Sequence, residues 1–236
     1  MNKRFFVIPL VIFLTICCVY AGDVAAFDDI GFSADGKTYI FGQYGITDKD
    51  YQGYAELCAV DIETNEFRKD GFFKTGASKE TSGKSGAVVY EALKSSHSYW
   101  LDSWKATPAS IGDILYIRPY NSRQGATEIS VKDFEHSTID NVCSYSFKLV
   151  PYKEGKGKNV VSSFFIAVEK KDASGKVLAN FTAGSPSVKR KGISGYSIEK
   201  IMCTPDAKNF VILIEKTSEE DAAPSLRYMV ETFSIK

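Results

Sequence analysis

The sequence predicts a mainly β (α+β) fold, an antiparallel β-sheet domain with one long amphipathic helix around residues 85–105. Three observations predict it. Short runs rich in β-branched and aromatic residues recur along the chain between turn residues. Several of these runs alternate apolar and polar positions, the period of two that marks a half-buried strand. One segment alone switches to helical spacing. The aromatic content of 13%, with 13 Tyr and 16 Phe, suits a filled core, whereas a disordered chain shows few aromatics and an excess of one charge.

The chain opens with the features of a secretory signal peptide over residues 1–21. Lys3 and Arg4 form a positive start, Phe5 to Val19 is an almost unbroken apolar run, and Val19-Tyr20-Ala21 offers a peptidase site, so the exported chain is expected to begin at Gly22. The run is shorter than the roughly 20 residues that a bilayer needs and contains Pro9, which argues against a retained transmembrane anchor. A second processing route is written in Leu14-Thr15-Ile16-Cys17, a loose match to a lipobox in which Cys17 would carry lipid. Ile16 is bulkier than the Gly, Ala or Ser of such motifs. Cleavage after Ala21 leaves residues 22–236, read as a single domain with room for one sizeable core. The 29 basic and 29 acidic residues balance, so no field gathers polyanions and nucleic acid is not expected as a partner.

The strands follow in order. Phe32 to Lys37 ends in an Asp-Gly turn that leads into Thr38-Tyr39-Ile40-Phe41, and Tyr54 to Ile62 reads as the next strand. Cys143, Tyr145, Phe147 and Leu149 alternate with Ser144, Ser146 and Lys148, and Phe164, Ile166 and Val168 continue in the same style. Asp172 to Lys176 turns the chain back into Val177 to Phe181. Phe210 to Ile214 is a continuous apolar run, short enough for a strand buried on both faces. Leu226 to Ile235 closes the chain, with Tyr228 and Val230 on one face and Met229 and Phe233 on the other. Lys153 to Lys158 and Lys216 to Pro224 read as polar loops.

Between these strands, Val89, Leu93, Trp100 and Trp104 recur at helical spacing from Ser85 to about Lys105. Ala92 and Leu101 widen the stripe and Pro108 closes it. Such a stripe is expected to pack on a sheet, both tryptophans included. A weak internal echo links Ser33-Ala34-Asp35-Gly36-Lys37-Thr38 to Thr204-Pro205-Asp206-Ala207-Lys208-Asn209. Each copy resembles the turn-plus-strand unit of WD40-like propeller repeats. A partial or irregular propeller is therefore the minority alternative, because the intervening chain shows no regular copies.

Phe32 to Lys37, Phe41-Gly42-Gln43-Tyr44-Gly45-Ile46-Thr47-Asp48, Tyr54-Ala55-Glu56 and Val60-Asp61 together resemble the start of a bacterial family of predicted secreted proteins, domain of unknown function 2259. Arg227-Tyr228-Met229-Val230-Glu231-Thr232 resembles that family's end. The resemblance implies export and carries no catalytic residue or ligand with it.

Candidate chemistry is sparse, and no catalytic residue, cofactor or metal is expected. Gly83-Lys84-Ser85 opening a helix matches the tail of a phosphate-binding loop, but the glycine that the motif needs five positions earlier is Ser78. Val211 to Glu215 imitates an apolar strand ending in a magnesium-binding carboxylate, equally without its context. His97 borders the helical stripe and reads as a packing residue, and His136 falls in an expected polar loop. Cys58, Cys143 and Cys203 have long spacings and no CxxC, so they read as buried thiols rather than a disulfide framework or zinc site. Asn180-Phe181-Thr182 matches a glycosylation sequon but sits on an expected strand. The candidate interaction loop is Gln43 to Tyr54, where Tyr44, Tyr51 and Tyr54 flank Asp48; it suits contact with a protein or glycan, although a hairpin packed by its own tyrosines is the favoured alternative. The functional expectation is a non-catalytic binding or structural module of the cell envelope, periplasmic or secreted. The competing one is an exported hydrolase whose site assembles only in space.

Overall fold

The computed structural model describes residues 23–47, 51–120, 122, 126–219 and 223–235. The leader, with Cys17, Ala21 and Gly22, and Asp48 of the tyrosine-rich loop lie outside the described residues. Strands β1 (Ala26–Phe32), β2 (Thr38–Ile46), β3 (Gly53–Asp61) and β4 (Glu66–Thr75) form an antiparallel meander, the first sheet. Helices α1 (Gly86–Ser96) and α2 (Ser98–Trp104) follow, then β5 (Ile114–Ile117). A second meander, the excursion sheet, comprises β6 (Glu128–Thr138), β7 (Asn141–Glu154), β8 (Val161–Lys171) and β9 (Val177–Lys191). The chain then returns through β10 (Ile193–Cys203), β11 (Asn209–Ser218) and β12 (Ser225–Ser234). These three join β5 in the order β12-β11-β10-β5 to make the central sheet.

The unbroken apolar run on β11 explains the layering. Phe210, Ile212 and Ile214 point to one side, into a core with Tyr145, Phe147, Phe164 and Ile166 of the excursion sheet. Val211 and Leu213 point to the other, into a core with Tyr39, Phe41, Cys58 and Val60 of the first sheet. A strand covered on both faces has no use for polar alternation, and β11 has none. The first sheet alternates in turn: Cys58 and Val60 face the central sheet, while Ala55 and Leu57 pack against Val89, Tyr90 and Leu93 of α1. The layers therefore run helix, first sheet, central sheet, excursion sheet.

The helical segment lies where its spacing predicts, but as two helices meeting at His97 (φ −118°, ψ 22°) rather than one. The cause is local. The Leu93 carbonyl accepts from the Ser96 hydroxyl at 2.8 Å and faces His97 Nδ1 at 2.9 Å, while the His97 amide turns to the Lys94 carbonyl. Side chains thus compete for the carbonyls that would carry the helix on. The stripe divides accordingly. Val89 and Leu93 are buried with Tyr90, Ala92 is exposed, and Trp100 and Trp104 are only half-buried on α2, which buries no residue fully.

The echoed turns have matching geometry. Asp35 Oδ1 accepts from the Ser33 hydroxyl (2.7 Å) and the Lys37 amide (3.1 Å), and the Ser33 hydroxyl accepts from Thr38 N (3.0 Å). Asp206, Thr204, Lys208 and Asn209 repeat this at 2.6, 3.2 and 3.1 Å. Asn209 donates to the Gly36 carbonyl at 3.0 Å, so the two turns lean on each other. Propellers use some four to eight blades around a channel. Here three sheets are stacked, and the propeller likeness is confined to these turns.

If Leu93 and not the tryptophan pair anchors the helical layer, Leu93→Ala destabilises by about 2–5 kcal/mol, the range for a buried aliphatic truncation. Trp100→Ala costs less. Urea unfolding of both variants beside the parent checks the order, and a larger loss at Trp100 would contradict it.

Candidate functional site

The outer edge of β12 does not abut another strand along its length. A cleft of about 1020 Å³ opens there, floored by β12 and walled by the first sheet on one side and β9 of the excursion sheet on the other. Its lining is mixed. Phe41, Val60, Phe181, Val230 and Phe233 contribute apolar surface, and the exposed rings of Phe67 and Phe72, 5.2 Å apart, stand at the rim. Polar groups from all three sheets converge among them.

Side chains occupy part of the β12 edge where strand pairing would otherwise continue. Gln43 on β2 acts as a two-pronged plug: its Oε1 accepts from Tyr228 N at 2.8 Å, and its Nε2 donates to Tyr228 O at 3.1 Å and to Glu56 at 2.7 Å. Asn65, in the β3–β4 turn at φ 57°, accepts from Thr232 N at 2.8 Å and donates to Glu231. At the far end the chain's own residues take over, with Ala25 N on Leu226 O (3.0 Å) and Leu226 N on Asp23 O (2.8 Å). An unpaired edge is a template for unwanted pairing, and these groups blunt it.

Glu231 is the polar centre of the floor. It is 2% exposed, and its Oε1 accepts from Arg190 at 3.0 Å. Arg190 itself lies over the Phe164 ring at 4.9 Å. Gly184 (φ +75°) carries β9 past the carboxylate so closely that a Cβ there would sit 3.3 Å from it. Burial pushes the Glu231 carboxyl above its ordinary range, while Asn65 and Arg190 pull it back. Asn65, Glu231 and Arg190 thus tie the first, central and excursion sheets together at one point. The signal in the sequence was a carboxylate between Met229 and Phe233 on an apolar strand face. Lys216 also lines the cleft, because β11 runs on to Ser218 where a loop from Lys216 was expected.

The tyrosine-rich loop is divided by the structure. Tyr44 stacks on Tyr90 at 4.7 Å, and Tyr54 is buried with the Arg227 guanidinium 4.4 Å over its ring. Tyr51 stands out at 80% exposed with φ 51°. Ser85 of Gly83-Lys84-Ser85 is the N-cap of α1, accepting from Val88 N at 3.4 Å, and Glu215 pairs with Arg118 at 2.9 Å. His97 packs its ring 4.0 Å from Phe73. Cys58, Cys143 and Cys203 are free thiols; Cys58 and Cys203 are buried and Cys143 half-buried.

His136 departs from its expected loop. It lies on β6 with its side chain 9% exposed, Nδ1 2.8 Å from Asp133 and Nε2 3.1 Å from Asp113. Asp113 also accepts from Ser110 at 2.6 Å. The Cys203 sulfur is 4.0 Å from His136 Nδ1, so thiol, imidazole and carboxylate do meet, and Asp113 and Cys203 also line a pocket of about 350 Å³ beside the two echoed turns. Burial pushes the Cys203 thiol up to about 12, which keeps it protonated and poorly nucleophilic. With a carboxylate on each ring nitrogen, His136 works as a cationic clamp between β6 and the segment before β5. Among the described residues no group of His, Cys, Asp and Glu is placed to hold a metal ion.

Burial opposes the charged imidazole of His136, but its hydrogen bonds to Asp133 and Asp113 outweigh this and raise its pKa above 6.5. A raised folded-state value means a contribution that is complete below pH 6.5 and is lost as pH climbs through the raised value. Chemical unfolding from pH 6 to 9 should show stability falling across that window in the parent and a flatter profile in His136→Gln. Equal slopes would remove the clamp from the account.

These features define a class: a mainly β protein of three stacked antiparallel sheets with a cleft open along the edge of the central one. Residues 40–234 match the family described as "Predicted secreted protein (DUF2259)", and the chain belongs to it. That description supports export. No curated protein and no solved structure matches the chain. Among the described residues, no helix is long and apolar enough to cross a membrane.

Proposed function

We propose that the protein is a non-catalytic binding module of the cell envelope, released at Gly22, which folds as one domain and takes its ligand in the cleft along β12. The observation that carries this reading is the cleft itself. At about 1020 Å³ it is at the top of the range of small-molecule sites and has their mixed character, an apolar lining with a few convergent polar groups. The rim pair Phe67 and Phe72 adds exposed aromatic surface of the kind that contacts proteins and glycans. Export is supported by the family description, and a single folding unit by cores shared across all three sheets. In the thiol, imidazole and carboxylate that come closest to a hydrolytic set, burial holds the Cys203 thiol protonated and poorly nucleophilic, and both His136 nitrogens are taken by carboxylates, which favours binding over hydrolysis.

Ser185 lines the cleft from β9 and is half-buried, so Ser185→Trp fills the space with a ring and leaves the shared cores alone. The expected result is a loss of about tenfold or more in binding to envelope fractions, peptidoglycan and membrane assayed separately, with the melting temperature nearly unchanged. Binding that survives the substitution intact would overturn the reading.

A further inference from the structure

Three cations meet at one end of this cleft. Lys216 on β11 and Arg227 on β12 are direct register partners, and like charges set opposite each other across neighbouring strands repel. Arg190 on β9 is the third. Together with Lys191, Ser218 and Ser225 they line a pocket of about 340 Å³ whose lining contains no acidic residue. Lys216 and Arg190 also line the large cleft, so the pocket is its continuation.

The arginines are held from behind. Arg190 donates to Glu231 at 3.0 Å, and Arg227 pairs with Asp23 at 2.8 Å and lies over Tyr54. Lys216 has no such hold. Among the described residues no carboxylate lies within ion-pair distance of its ammonium, and the acidic group that acts on it is Glu56 of the first sheet, at longer range. Burial first, then Arg190 and Arg227, push its pKa down, and Glu56 opposes them. A strand pair that sets Lys216 against Arg227 beside a third cation carries a cost that a bound anion would remove.

We propose that this pocket is an oxyanion site, which takes a carboxylate or phosphate group of the cleft's ligand between Lys216, Arg190 and Arg227. Guanidinium groups supply planar, forked donors for such oxygens, and the ammonium supplies a point charge. The pocket volume exceeds that of the anion alone, which leaves room for the ligand to continue into the cleft. This inference rests on the binding reading above and names the chemical class of the ligand.

The test uses the full exported chain, with inorganic phosphate and acetate as separate probes at ionic strength held constant by chloride. The expected result is a saturable rise in melting temperature and a titration heat with one or both probes, since an anion bound only to the folded state stabilises it. Phosphate alone acting identifies a phosphate group, and acetate alone a carboxylate. Lys216→Met should weaken this binding by about tenfold or more and leave the melting temperature of the free protein nearly unchanged, because it removes a half-buried charge that has no close ion pair and faces two arginines. An effect of either probe no larger than that of chloride, or full binding by Lys216→Met, would overturn the proposal. Ser185→Trp separates the two ideas. If it abolishes envelope binding while phosphate and acetate do nothing, the cleft reading stands and the anion site falls. If Lys216→Met loses the anion while Ser185→Trp leaves envelope binding intact, the anion site stands without the cleft.

Discussion

The structure depends on a central sheet that must be covered on both faces. β11 sends Phe210, Ile212 and Ile214 one way and Val211 and Leu213 the other, so neither outer sheet can be removed without exposing half of that strand. Burying one such side chain contributes about 1.5–3 kcal/mol relative to leaving it exposed. The outer sheets each gain one covered face from the arrangement, and α1 covers a second face of the first sheet. The cleft is a by-product of this stacking. The first sheet and β9 both bound the space beyond β12, and that space stays open where Gln43, Asn65 and residues 23–25 do not fill it.

Polar groups set how the layers sit on one another. The Lys200 ammonium on β10 reaches Asp29 on β1 at 2.6 Å, and Tyr39 donates to the same carboxylate at 2.8 Å. Asn65, Glu231 and Arg190 link the three sheets at the other side. A buried ion pair adds little net stability over apolar packing, but losing one member leaves an uncompensated buried charge, which is expensive. Such groups therefore fix the register between sheets more than they hold the sheets together. In this protein they also place charge inside the cleft.

Much of the fold could be read from residue patterns, and its gaps have physical causes. β7 and β8 alternate cleanly and pair with each other without a shift in register, so a period of two marks both. β10 is broken by bulges between Ile193 and Gly195 and between Ile198 and Lys200, and β1 by one between Asp29 and Gly31. Each bulge moves later side chains to the other face and erases the alternation that sequence reading relies on. The helix break at His97 arose from hydroxyl and imidazole groups competing for a single carbonyl. The cleft was less visible than the fold because its groups come from strands far apart in the chain. Glu231 left a local trace, a carboxylate between Met229 and Phe233 on an apolar strand face, whereas Lys216 follows the apolar run of β11 like the start of a loop, and Gln43 and Asn65 look like ordinary polar residues until the edge they plug is known. His136 takes its meaning from two carboxylates, of which Asp133 is three residues away on β6 but Asp113 lies off any strand, between α2 and β5.

Native-state hydrogen exchange tests the central claim most directly, since it reports the opening free energy of each strand. If both outer sheets depend on the central one, the amides of Phe210 to Ile214 on β11 should exchange only through global unfolding, and they should be the most protected in the chain. The first and excursion sheets should open at or below that free energy. A β11 that exchanges through local opening, or an outer sheet that outlasts it as denaturant is raised, would contradict the account.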